Sequence, residues 1–549
     1  MVCPEADGAG RVRLVDAATA GTIAEHSCAD LVSWMAAMEA DQRPRWVLPA
    51  VEEFYPALLK AGVRLSRCHD LTLAEGLLLA HEGRHGTHRN PGAAWARLHK
   101  QAEPPDKPPP ARDAQPALFE LDERFFTLDQ LAEVYADQQR RVLATAFPDR
   151  MRLLVTSESA GALAAAEMSH HGLPWSEDVH RELLESMLGP RPASGARPAR
   201  LAELADRIIE AFGGRSLNPD SPPSVVKAFA REGIEIPSTR AWVLREVDHP
   251  AVEPLLEYKE LARMWTAHGW SWLESWVRNG RFRPEYVVGG VVSGRWATRG
   301  GAALQLPKAL RTAVRALPGW SLVVADAAQL EPRVLAALSE DQRLAEFSAD
   351  ADLYAGLAKD SFDGDRGKAK IAMLSAMYGG TSGGAGPLLA LLRKRFPQAV
   401  GHVEQAAQAG ELGRMVRSRL GRTSPLPSER WRTLMERTDG TEEEMRKSRQ
   451  ASRDWGRFTR NFVVQASAAD WALVLLVVLR RRLAERAPAA EIVFYQHDEF
   501  MVHCPAGTAP LVAEELTASC SEASNLVFGD TPVRFPLQTS TVDSYADAK

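Results

Sequence analysis

Two acidic stretches in the 549-residue sequence pose a chemical question. In EIVFYQHDEFMVHCP, Glu491–Pro505, Asp498 and Glu499 sit side by side inside an apolar segment of strand character. A buried, unpaired carboxylate is costly, so either this segment is a surface hairpin or a cation sits on its acids. In WSLVVADAAQLEPRVLAALSED, Trp320–Asp341, the apolar run LVVA ends in Asp326. A helix is expected to start near Pro332, a residue type tolerated in a first turn. Asp326 is then either a cap for that helix or a metal ligand. Should Asp326 and Asp498 meet in space, their repulsion demands a cation. Two carboxylates shared by two Mg²⁺ ions about 3.5–4 Å apart serve in-line phosphoryl transfer.

Two further stretches carry side chains four residues apart. In RGKAKIAMLSAMYGG, Arg366, Lys370, Leu374 and Tyr378 fall on one face of an expected helix that stops at Gly379-Gly380. The cationic end suits a triphosphate and the apolar, aromatic end suits a base; a solvated Arg-Lys stripe with a core tyrosine is the alternative. In RFTRNFVVQASAADWA, Arg457, Asn461 and Gln465 repeat the spacing. Amide side chains on one face suit base edges or sugars, and a plain solvent-facing helix has the same pattern. From Arg393 to Arg460 there are 16 Lys/Arg against 9 Asp/Glu, a local excess that suits a polyanion, although the whole chain is at −5.

The elements that must position these residues follow from composition and pattern. Apolar residues make up 45 % and charged residues 25 %, an ordinary balance for a globular protein. The five cysteines, Cys3, Cys28, Cys68, Cys504 and Cys520, show no C-x-x-C spacing, so neither a zinc site nor a disulfide framework is expected. The longest apolar run, Trp471–Leu479, is nine residues and reads as buried helix, since a membrane span needs about 20. No signal peptide is expected at the start. Short strand-like and helical runs alternate up to about Gln101. The Pro-rich stretch Glu103–Pro116 is expected to be a loop, and a helix follows from Thr127. From about Glu158 to Gly280 the pattern is helical and amphipathic; from Gly289 strands and helices mix.

The order and content of these stretches resemble DNA polymerase family A, the bacterial polymerase I type. DAAQLEPR is similar to its motif A, RGKAKIAMLSAMYGG to motif B and QHDE to motif C. SGRW…LQLP, Ser293–Pro307, and RFTRNFVVQ resemble two further family segments, and the match runs from about Glu158 to the C-terminus. The resemblance implies an α+β, multidomain right-hand fold: a palm with an antiparallel sheet, helical fingers and thumb, preceded by an RNase H-like α/β exonuclease-like domain. Its segments would be 1–150 (exonuclease-like), 151–290 (thumb and start of palm), 291–345 (palm), 346–465 (fingers) and 466–549 (palm to the C-terminus).

It also implies roles. Asp326 and Asp498, with Glu499 beside them, would hold two Mg²⁺ ions, with Mn²⁺ as a substitute. Arg366 and Lys370 would hold the triphosphate, Lys370 also as proton donor to pyrophosphate. Gln329, Leu374 and Tyr378 would complete the deoxynucleotide site, and Glu331 would exclude a ribose 2′-OH. Arg295, Gln305, Arg457, Asn461, Gln465 and His497 would contact primer and template. Three departures stand out: Leu374 replaces an aromatic residue, Tyr354 replaces a phosphate-contacting histidine, and Ala327-Ala328 replace Tyr-Ser.

The amino-terminal part lacks the expected nuclease carboxylates. Asp16 has Ala18 where Glu belongs, Asp70 matches a structural position, and Gln139 stands four residues after Tyr135 where Asp belongs. Loss of the 3′→5′ exonuclease is therefore expected, and no 5′-nuclease domain is expected to precede it. The implied function is template-directed DNA synthesis from dNTPs on a primer-template in replication or repair. The expected protein is a cytoplasmic, nucleoid-associated monomer with no membrane association. A single-subunit RNA polymerase and a catalytically weak DNA-binding scaffold are the alternatives.

Overall fold

The computed structural model describes residues 1–5, 8–16, 21–107, 126–193, 195–380, 385–436, 441–496 and 498–548. The chain packs as two compact units. One comprises Met1–His170, Tyr286–Ala297 and Val323–Ser540; the other comprises His171–Glu285, Thr298–Leu322 and Thr541–Lys549.

The first unit begins with three antiparallel strands, Val2–Pro4, Gly10–Val15 and Thr22–Cys28, in that order. A parallel pair, Arg45–Leu48 and Arg67–Asp70, is joined through the helix Val51–Lys60. Such a crossover connection is what parallel strands require. Val12, Leu31, Met35, Trp46, Leu48 and Tyr55 form a core shared with Leu163 of the helix Pro148–His171. The helix expected from Thr127 is Leu128–Leu143. Thr127 Oγ1 accepts from Gln130 N–H at 3.3 Å, and Gln130 Oε1 accepts from Thr127 N–H at 2.6 Å. Of the Pro-rich stretch, residues 103–107 are irregular and 108–116 lie outside the described residues.

The nuclease-like positions take structural places. Asp16 follows the second antiparallel strand, and Ala18 lies outside the described residues. The Asp70 carboxylate accepts from Val51 N–H at 2.7 Å and caps the helix Leu71–His81 through Leu73 N–H at 2.8 Å. Burial pushes it up to about 6. Tyr135 stands edge-on to His69, whose Nε2 meets Gln138 Oε1 at 2.9 Å.

A four-stranded sheet has the order Glu491–Gln496, Glu499–Pro505, Trp320–Ala327, Leu537–Val542. The segment 491–505 is therefore a hairpin with a two-residue turn, and Asp498 lies in that turn. Behind it runs a 45-residue helix, Glu442–Arg486. It starts with a capping box between Thr441 and Glu444 and three acids in its first turn, all favourable at the positive end of a helix. Its most apolar 18-residue window is 89 % buried, so the run Trp471–Leu479 is core helix, as its length implied.

The second unit is mainly helical: Glu177–Leu188, Ala199–Ala211, Pro222–Arg231 and Val252–His268 surround a small sheet in which Arg281–Phe282 pairs with Leu173–Pro174 and Val277–Arg278. Trp175, His180, Trp272 and Phe282 pack ring against ring at its centre.

Candidate active site

Asp326 is the penultimate residue of its strand, after Leu322, Val323, Val324 and Ala325, which are all buried. The next residue, Ala327, donates its N–H to the Asp498 carbonyl at 2.9 Å. This bond brings the two aspartates to neighbouring strand ends, 172 residues apart in sequence. Both are half-buried, whereas Glu499 is only 6 % exposed and opens the second strand of the hairpin. Among the described residues no three His, Cys, Asp or Glu side chains form a ready-made metal cage. Carboxylate oxygens suit Mg²⁺, which is commonly held by one or two carboxylates with substrate phosphates supplying the rest. The Asp326–Asp498 pair fits that requirement. His497 lies outside the described residues.

Beyond Asp326 the backbone is strained. Gln329 adopts φ 48°, ψ 50° immediately before the helix Leu330–Ser339. Side chains rarely sit in that left-handed region, and such residues gather at functional sites. The Gln329 carboxamide oxygen accepts from Leu353 N–H at 2.9 Å, so this expected nucleotide contact ties down the start of the helix Leu353–Ser361. Arg333 fixes the same region. It is fully buried and donates to the carbonyls of Ala328 (2.9 Å), Ser348 (2.5 Å), Arg534 (3.0 Å) and Asp350 (2.9 Å). Burial lowers its pKa. The signal for Arg333 was present in LEPRVLAAL, a single cation in an apolar helix.

Glu331 joins two of the other expected site residues. Its Oε1 accepts from Arg295 Nη2 at 2.6 Å, and its Oε2 accepts from the Tyr378 hydroxyl. Burial and this hydrogen bond push the Tyr378 pKa above its usual value. The bridge connects the first turn of the helix Leu330–Ser339 to the far end of the helix Arg366–Tyr378. That helix is capped by Asp365 and ends at Gly379, φ 72°, where the sequence places its stop. Its buried face is Ala369, Ala372, Met373, Ala376 and Met377. Arg366 and Lys370 are exposed, Leu374 is half-buried and Tyr378 is 36 % exposed, so the four-residue stripe lies on the open face.

Tyr354 has a definite place. It is buried, with the Arg366 guanidinium 5.7 Å from its ring centroid, and burial pushes its pKa up to about 12. It therefore shelves Arg366. Asp352 completes the support: its Oδ2 accepts from Arg366 Nε at 2.7 Å while its Oδ1 caps the helix through Tyr354 N–H at 3.0 Å. Sequence reading missed this acid.

On the long helix, Arg457 is exposed and Asn461 and Gln465 are half-buried, a less buried stripe among buried neighbours Phe462, Val463, Val464 and Ala466. Arg457 pairs with Asp454. Arg460 turns inward and donates to Ala376 C=O at 3.1 Å, fastening the two helices together. The basic excess between 393 and 460 is thus not one outward track: Arg460 and Arg422 are buried, and Arg393 bonds Glu404 at 2.7 Å. Gln305 belongs to the second unit, exposed on the turn Ala303–Gln305.

Two aspartates at neighbouring strand ends and a helix with an open cationic face are thus the principal parts of the candidate site. The fold is similar to that of the POL domain of Pol1 from M. smegmatis, solved in complex with DNA primer-template and dNTP. The TM-score is 0.72 at 19 % identity, covering 94 % of this chain and 88 % of that one. The family model of DNA polymerase family A matches residues 193–545, and the chain belongs to DNA polymerase family A. Its relatives include DNA polymerase I of Treponema pallidum, 24 % identical over 68 % of this chain and 38 % of that protein. Another is DNA polymerase I of Chloroflexus aurantiacus, 26 % identical over 56 % of this chain and 35 % of that protein. The chain therefore spans between a third and two fifths of the length of these relatives.

Proposed function

We propose that this protein is a template-directed DNA polymerase that adds deoxynucleotides to a primer 3′-OH. The observation that carries the reading is the Ala327 N–H to Asp498 C=O bond, which sets Asp326 and Asp498 side by side. These two carboxylates would hold divalent cations, which supply charge neutralisation at the phosphate and a lowered pKa for the attacking hydroxyl. Arg366, steadied by Asp352 and the Tyr354 ring, and Lys370 bind the triphosphate of the incoming nucleotide; Lys370 delivers a proton to the leaving pyrophosphate. Positioning and electrostatics do most of the work in such a reaction, and no covalent intermediate is needed. Glu331, held from both sides, occupies the space a ribose 2′-OH would need, and Tyr378 stacks near the template base. Arg295, Gln305, Arg457, Asn461, Gln465 and His497 contact primer and template. The amino-terminal region acts without nuclease activity: Asp16 stands without the partner acids that Ala18 and Gln139 replace, and Asp70 is committed to a helix cap.

Primer extension by Asp326→Ala and Asp498→Ala tests the assignment. Removing several kcal/mol of charge stabilisation lowers the rate about 10²–10⁴-fold, while affinity for primer-template at low salt is retained. Normal extension by either variant overturns the carboxylate assignment. Equal use of ribonucleotides by the wild type favours an RNA polymerase, and tight DNA binding without extension favours a scaffold.

A further inference from the structure

The segment that carries Arg295 rests on a buried ion triad. Arg422, whose side chain is 7 % exposed, donates Nε to Asp470 Oδ1 at 2.7 Å and Nη2 to Glu158 Oε2 at 2.8 Å. Ser418 donates to the second Asp470 oxygen at 2.6 Å. Two glycines of the loop touch this triad. A Cβ on Gly294 would stand 2.4 Å from Arg422 Nε and 2.6 Å from its Cζ, and a Cβ on Gly289 would stand 2.5 Å from Glu158 Oε1. Gly294 has φ +85° and closes a turn: it donates to Val291 C=O at 2.8 Å, and Val291 N–H donates to Arg295 C=O at 3.0 Å. Ser293 Oγ and Trp296 Nε1, on either side of Gly294-Arg295, are buried with no hydrogen-bond partner among the described residues. Neither side chain anchors the loop by a hydrogen bond; the Trp296 ring packs edge-on to Tyr286 and Tyr495, and Arg422 is the group directly beneath Gly294.

We infer that Arg422 is a positioning residue for sugar selection: its guanidinium sets the height of the Gly289–Gly294 loop, hence the reach of Arg295, hence the Glu331 carboxylate. This rests on the proposed role of Glu331 and extends it to a residue that touches no substrate. The chain of contacts is continuous: Arg422 under Gly294, Arg295 Nη2 on Glu331 Oε1 at 2.6 Å, and the Tyr378 hydroxyl on Glu331 Oε2. A planar group is needed at the first link. Lysine supplies charge as a point on a flexible stem, without the flat fork that fits between two carboxylates and under a glycine. A triad that served packing alone would be replaceable by apolar residues of similar volume.

The experiment measures kcat/KM for a deoxynucleotide and its ribonucleotide counterpart in single-nucleotide primer extension. The variants are Arg422→Lys, Gly294→Ala, Glu331→Ala and Arg422→Lys/Glu331→Ala, with thermal unfolding in parallel. Gly294→Ala keeps all three charged groups of the triad and alters the same contact from the loop side. Arg422→Lys and Gly294→Ala are each expected to lower discrimination at least tenfold, and Arg422→Lys is expected to add nothing once Glu331→Ala is present. A melting temperature alone cannot produce that non-additivity. Discrimination within twofold of wild type in Gly294→Ala and in any folded Arg422→Lys protein overturns the inference; so do fully independent effects in the double variant. If Arg422→Lys does not fold, Gly294→Ala decides. A wild-type protein that extends no primer sinks this inference together with the polymerase reading, whereas a discriminating wild type with equally discriminating variants sinks this one alone.

Discussion

At the scale of single residues, the site is held by groups that do not face substrate. Arg333 is the clearest: a full positive charge buried among neutral carbonyls, drawing Ala328, Ser348, Asp350 and Arg534 together behind the strand end. Each buried carbonyl left without a donor costs about 1–3 kcal/mol. Arg333→Met should therefore lower unfolding stability by at least about 3 kcal/mol, seen as an earlier urea midpoint. Tyr378→Phe is the contrasting case. It removes one partly exposed hydroxyl from Glu331, a net loss of about 1 kcal/mol, so the unfolding curve should barely move. Discrimination against ribonucleotides should fall several-fold, because Glu331 is then held from the Arg295 side alone. Unchanged discrimination would remove the hydroxyl from the sugar-selection argument.

At the scale of elements, the helix Arg366–Tyr378 shows how an open, partly cationic face is made. Small residues on its buried face let it lie close to the long helix, where Arg460 bonds Ala376 C=O, and the opposite face is left for Arg366, Lys370, Leu374 and Tyr378. Its C-terminal stop is equally determined. Gly379 sits at φ 72°, and an added Cβ would approach Arg457 Cγ to 3.0 Å. A left-handed conformation costs an L side chain about 1–2 kcal/mol. Gly379→Ala should destabilise the protein by about that amount in thermal unfolding and weaken nucleotide affinity, since Tyr378 is the adjoining residue. A variant as stable as wild type would show that the cap is dispensable.

At the scale of the whole molecule, the amino-terminal region and the helices behind the site share one core. The buried carboxylate of Glu167 accepts from Tyr55 at 2.7 Å and from Arg480 at 2.6 and 3.0 Å, and Arg480 donates onward to Leu65 and Ser66 carbonyls. Burial alone would raise Glu167, but Arg480 and Arg64 outweigh it and hold the carboxyl at about 2. The folded value lies below the unfolded one. Its contribution to stability is therefore present above about pH 4.5 and is lost as pH falls toward 2. Urea midpoints at pH 7 and pH 3 should differ less in Glu167→Gln than in wild type, with the variant already weaker at pH 7 because Arg480 is left without its counter-charge. Equal differences in the two proteins would show that acid sensitivity arises elsewhere.

By itself the sequence determined the local parts: strand-ending Asp326, the four-residue stripe from Arg366 to Tyr378 and its glycine stop, the polar stripe of Arg457, Asn461 and Gln465, and the burial of Trp471–Leu479. These are consequences of periodicity, capping and apolar run length, which act over a few residues and leave their mark in the string. Family membership was legible for the same reason, through motifs whose residues are neighbours in sequence. Tertiary structure alone decided which distant groups meet. That Ala327 bonds Asp498, that Glu331 lies between Arg295 and Tyr378, that Asp352 and Tyr354 brace Arg366, and that Arg422 faces inward rather than toward solvent all depend on pairings between far-apart segments. A charged side chain reads the same in sequence whether it ends in water or between two buried carboxylates; only packing supplies the partner that makes burial affordable.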